Sequence, residues 1–149
     1  MASALDVAQY ILAQKGAMTA MKLQKLVYYS QAWSTAWEDD VIFPEPIFAW
    51  KNGPVVRELW EAHRGQFRVG DIAGGDPNIL TVAQGRTIDI VVNFYGEKNA
   101  QWLSDLTHME DPWKNAWYGV EEHRRGTMEI TPASMAEYYS SLGPSDEQA

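Results

Sequence analysis

Three histidines, His63, His108 and His123, are the first residues to test for chemistry, and they lie on three separate segments. A metal centre needs three or four converging ligands. Neither HExxH nor HxxxH spacing occurs, so no metal ligand set is expected. His108 stands close to Glu110 and Asp111, and His123 close to Glu121 and Glu122. The expected role of His108 is a ring at the end of a helix, its N–H bonding the last-turn carbonyls. Nucleophilic catalysis has no better footing, because Ser30 and Ser34 fall on a helical stretch and not on a strained GxSxG turn. Gly74 and Gly75 lack the Lys–Ser/Thr that completes a phosphate loop, so no nucleotide cofactor is expected. Glu110 and Asp111 read as capping and solvated groups. A small hydrolase-like enzyme built on His108 and nearby carboxylates stays open as an alternative, since catalytic groups need not be neighbours in sequence.

Composition narrows the partners. Acidic residues number 20 against 12 basic ones, a net charge of −8 in 149 residues. That field repels a nucleic-acid duplex unless a basic stripe overcomes it. Lys22 and Lys25, with Tyr28, are the nearest approach to one, and they read as a solvated helix face. A protein partner with a basic face is the better electrostatic match. Cysteine is absent, which rules out disulfides and thiolate sites and fits a reducing cytoplasm. No stretch approaches the ~18 apolar residues of a membrane span, and Met1–Lys15 does not read as a signal peptide. Seven tryptophans and seven tyrosines are the unusual feature. Most should fill the core, and a few could anchor an interface.

The elements that must position these residues are mainly helical. Ser3 and Asp6 predict a capped first helix with Val7 and Ile11 inward, stopped by Gly16. Thr19 caps the second, whose apolar side is Leu23, Leu26, Val27, Ser30, Ser34 and Trp37, with Trp33 at its edge and Lys25, Tyr28 and Ala32 opposite. Val41–Phe43 and Ile47–Trp50 read as a small hairpin across Pro44–Pro46. Asn52–Pro54 is a turn, with Pro54 opening a third helix that holds Leu59 and ends before Gly65. Residues 65–80 form the loosest stretch. Thr81 starts a helix with Ile88, Val91, Val92 and Tyr95 inward, and Ala100–Thr107 follows with Trp102, Leu103 and Leu106 inward. Asp111 caps a short helix carrying Trp113, Ala116 and Trp117. Thr131 and Pro132 begin the last, with Met135, Tyr138, Tyr139 and Leu142 on its apolar side. The expectation is one compact, mainly α domain with a small β-hairpin over 1–142, followed by a flexible tail, 143–149.

Three blocks carry more than periodicity: MKLQKLVYYSQAW from Met21, IFAWKNGPVVRELWEAH from Ile47, and LTHMEDPW from Leu106. Their order and spacing resemble the Panacea domain, the SocA-like antitoxin family also met in phage and mobile-element proteins. The resemblance implies a mostly helical, non-enzymatic protein that neutralises a cognate toxin by direct contact. In one branch it also implies delivery of that toxin to the ClpXP protease. The blocks span most of the chain, so no appended DNA-binding domain is expected. Family positions carry over to Trp50, Lys51, Gly53, Pro54 and Val55 in the second block and to Thr107, His108 and Trp113 in the third; the two junctions present Trp50, Lys51, Asn52, Gly53, Pro54, His108 and Trp113. These seven are the candidate partner-binding residues, because loops set on rigid elements are where recognition surfaces tend to lie. A phage-encoded protein that binds a host factor is a further alternative.

Overall fold

The computed structural model describes residues 1–142 and builds them around one buried helix. Helix α1 (Ala4–Lys15) is followed by the two-residue strand β1 (Met18–Thr19) and by α2 (Ala20–Trp37). Strands β2 (Ile47–Trp50) and β3 (Gly53–Val56) form an antiparallel hairpin that runs into α3 (Arg57–His63). Strand β4 (Arg68–Val69) pairs with β1. Helices α4 (Val82–Tyr95), α5 (Ala100–His108) and α6 (Asp111–Tyr118) follow, then β5 (Glu129–Ile130), which joins the hairpin through β2, and α7 (Pro132–Ser141). The expected fold class, mainly helical with a small β-hairpin, is what the chain adopts. The expected tail, 143–149, lies outside the described residues.

Local capping explains where the helices begin. Ser3 and Asp6 form a reciprocal capping box on α1, and Thr81 and Gln84 form one on α4. Thr19 and Thr131 cap α2 and α7 through their hydroxyls. Asp111 does not cap α6; it is the first helical residue, and Glu110 holds the cap position without a side-chain bond to the helix. No helix among the described residues is long and apolar enough to cross a membrane.

Helix α2 is where tertiary packing departs most from the expected pattern. Residues Leu23 to Thr35 are buried without a break, because α1, α4, α5, α7 and β3 all pack on the helix. Lys25, Tyr28 and Ala32, expected on a solvated face, are therefore core residues. A helix covered on every side must satisfy its polar side chains internally. Trp37, expected inward, is 47% exposed because it ends the helix beyond that cover, stacked on Trp33 at 4.9 Å. Trp102 is likewise 42% exposed, under the Lys98 ammonium, and Leu103 takes the inward position.

The hairpin is shifted by one segment from the expected one. Val41–Phe43 is not a strand, because the Gln31 amide occupies its backbone: Gln31 Oε1 accepts from Ile42 N at 2.7 Å, and Nε2 donates to Phe43 O at 2.7 Å. Pro54 sits in β3 instead of opening α3. It pairs with Ala49 on an edge strand, where its missing N–H costs no ladder bond. Residues 65–80 are held down more than expected: β4 pairs with β1, Gln9 accepts from Ile72 N, and Asp6 accepts from Asp76 N.

Leu26 lies fully buried in the middle of α2. Leu26→Ala should lower the unfolding free energy by ~2–5 kcal/mol, read from urea melts. A loss below ~0.5 kcal/mol would contradict its place in the core.

Candidate functional site

A two-residue turn, Lys51–Asn52, joins β2 to β3, with Trp50 paired to Gly53. Its carbonyls are taken up one after another by side chains from three helices. Trp113 Nε1 donates to Trp50 O at 2.8 Å, His108 Nε2 to Lys51 O at 2.9 Å, and Ser104 Oγ to Asn52 O at 2.7 Å. Lys25 Nζ donates to Pro54 O at 3.3 Å. A carbonyl can only accept, so the His108 ring must carry its proton on Nε2. His108 thus bonds the hairpin and not its own helix, where the N–H groups of Met109 and Glu110 already meet the carbonyls of Leu106 and Thr107. The His108 and Trp113 rings lie 4.2 Å apart and support each other.

Glycine is required at position 53. Its φ is +122°, and a Cβ there would come within 2.5 Å of Lys25 Cε and 3.0 Å of Thr107 Oγ1. The structure therefore brings all seven candidate residues together: Trp50, Lys51, Asn52, Gly53 and Pro54 are the turn, and His108 and Trp113 are two of its braces. Lys51 and Asn52 are exposed, Trp50 and His108 half-buried, and Gly53, Pro54 and Trp113 buried.

The turn is a ridge between two hollows. On one side an open groove of about 630 Å³ is lined by Phe48, Trp50, Lys51, Arg57, Trp117 and Arg125. On the other, a hollow of about 270 Å³ lies against α2 and α3, with Lys25, Gln24 and His63 among its lining. Trp50 and Lys51 border both. Gln24 is oriented by β3: its Oε1 accepts from Val56 N at 2.9 Å. Its Nε2 therefore donates to His63 Nε2 at 3.0 Å, which makes that ring nitrogen an acceptor. Burial, and secondarily the charge of Lys25, lower the His63 pKa and favour this neutral ring. Burial alone pulls Lys25 down to about 7.

A second buried polar cluster stabilises the frame behind the turn. Glu110 is 5% exposed, not solvated as expected, and its Oε1 accepts from Tyr29 at 2.7 Å and Tyr139 at 2.8 Å. Tyr139 spends its proton on Glu110, so Tyr28 is the donor in the 2.9 Å Tyr28–Tyr139 contact. Burial first, and the Glu110 charge among the further causes, hold all three tyrosines well above their ordinary pKa. Among the described residues, no group of three or more His, Cys, Asp or Glu side chains is arranged to hold a metal ion.

The chain matches the family described as Antitoxin SocA-like, Panacea domain, over residues 23–114, more than half its length. It belongs to that family. No curated protein and no solved structure matches it. The family is a non-catalytic antitoxin domain. The matched segment contains the turn and all four of its braces, Lys25, Ser104, His108 and Trp113. It stops short of Arg125 and Tyr139. Sequence reasoning missed Lys25, Gln24, His63 and Glu110 as parts of this region. The signal for Lys25 was its place as the one charge between Leu23 and Trp33, in a run too apolar for a surface face.

Two outcomes are expected. Gly53→Ala forces a non-glycine residue into positive φ beside Lys25 and should cost ~1–3 kcal/mol in urea unfolding. Lys25 carries a folded pKa below its unfolded one, so the unfolded chain binds more protons between the two values and stability rises with pH there. The melting temperature should climb between pH ~7 and ~9, below the range where tyrosines ionise. Lys25→Met should flatten that slope.

Proposed function

We propose that the chain neutralises a cognate toxin in the cytoplasm by direct, stoichiometric binding, with the Trp50–Pro54 ridge at the centre of the contact. The observation that carries this is the bracing of four carbonyls in one short turn by side chains from α2, α5 and α6. A loop already fixed in its bound shape loses little conformational entropy on association. The ridge offers Lys51 and Asn52 fully and the Trp50 ring in part. Tryptophan and arginine dominate binding energy at protein interfaces, and Trp117, Arg57 and Arg125 line the adjoining groove. Membership in an antitoxin family supplies the class of partner.

The test is co-expression with the adjacent open reading frame, scored by growth rescue and co-purification, followed by titration of the purified pair. Protection should saturate near equal amounts, and the interface should bury ~1,200–2,000 Å² in total. Lys51→Glu should weaken the complex while leaving the melting temperature nearly unchanged, because Lys51 is exposed and carries its fold contact through the backbone carbonyl. Protection of a large toxin excess without a protease would overturn sequestration. The same excess protected only when ClpXP is present would assign delivery to that protease instead.

A further inference from the structure

We propose that the hollow between α2, α3 and the turn is a carboxylate pocket: an aspartate or glutamate side chain of the partner protein enters it and pairs with Lys25. The proposal rests on the antitoxin reading for the identity of the partner, but the pocket can be tested without it. Lys25 is 1% exposed and lines this hollow, its Nζ held beneath the turn at the Pro54 carbonyl. Gln24 and His63, both buried, make up the rest of a polar floor. Met21, Val55 and Trp60 supply apolar wall, and Lys51 stands at the rim. Among the described residues no carboxylate lines the hollow. An ammonium has three donors, and the Pro54 carbonyl at 3.3 Å takes only one, weakly.

Charge and size select the occupant. The groups that line the hollow with Lys25 and could bear charge are His63 from α3 and Lys51 from the turn, beside the uncharged Gln24. His63 is a neutral acceptor toward Gln24. When Lys25 is protonated the hollow carries one positive charge, which a carboxylate neutralises and a phosphate dianion exceeds. A volume of about 270 Å³ falls just below the usual range of small-molecule sites, ~300–1,000 Å³, and suits one side chain. In the free protein, burial deprives the amine of its charge near neutral pH. A carboxylate delivered from outside favours the charged form again, so binding takes up a proton.

The experiment uses the full chain carrying 13C-labelled lysine, with the Lys25 Cε signal assigned through Lys25→Met. The probes are N-acetylglutamate amide, its neutral isostere N-acetylglutamine amide, and inorganic phosphate, at matched ionic strength in chloride. The glutamate probe should move the Lys25 titration midpoint upward from about 7. Its affinity should fall by up to about tenfold per pH unit between pH ~7 and ~9, as the free amine loses its proton. The glutamine probe should do neither. Equal binding of the two isosteres, a response to phosphate alone, or no response to any probe would each overturn the carboxylate pocket. If Lys25→Met does not fold, Lys25→Arg serves for assignment and the wild-type titration still decides. Growth rescue judges toxin neutralisation separately, so a silent pocket in a chain that still protects cells refutes this inference alone.

Discussion

Burying α2 on every side sets the conditions for the rest of the molecule. A helix in that position cannot leave polar side chains to water, so each must find a partner within the fold or carry the cost of desolvation. Gln24 and Gln31 meet the condition with their amides, which pair with the backbone of Val56 and of Ile42–Phe43 as a neighbouring strand would. Tyr28 and Tyr29 meet it through Tyr139 and Glu110. The helix thus organises segments that have no regular ladder of their own. Lys25 meets the condition least well, with one long bond to Pro54.

That difference links folding to recognition. Three braces of the turn, from Ser104, His108 and Trp113, are hydrogen bonds of 2.7–2.9 Å. They hold the ridge in place whether or not a partner is present. The fourth, Lys25, is longer and comes from an amine whose pKa burial lowers to about 7. A site of this kind has a rigid outline and one adjustable charge. In the proposed pocket, the outline would limit the entropy lost on binding, and the charge would distinguish an acidic side chain from its neutral isostere.

Local physics was legible in the sequence, and long-range pairing was not. Ser3, Thr19, Thr81 and Thr131 announce helix starts because a cap hydroxyl acts within three residues. Leu23, Leu26, Ile88 and Val91 announce inward faces because helical periodicity is local. The hairpin was placed one segment early because the competitor for Val41–Phe43 is a glutamine side chain, and no strand pattern reveals that. Glu110 looked like a cap because it precedes Asp111 and Pro112. Its actual partners are 81 and 29 residues away, at Tyr29 and Tyr139. The two candidate junctions, the turn and His108–Trp113, lie together for the same reason: the bonds that unite them span 57 and 63 residues.

The net charge of −8 had suggested a partner with a basic face. The ridge changes the local form of that argument. Lys51, Arg57 and Arg125 gather around Trp50 and Trp117 on one side, and Lys25 lies below the other. Screening limits each exposed charge to about 8–10 Å in physiological salt, so these cations act locally. Long-range attraction of a basic partner and short-range docking of its acidic side chains are then compatible. The first would govern the rate of encounter, and the second which surface of the partner is retained.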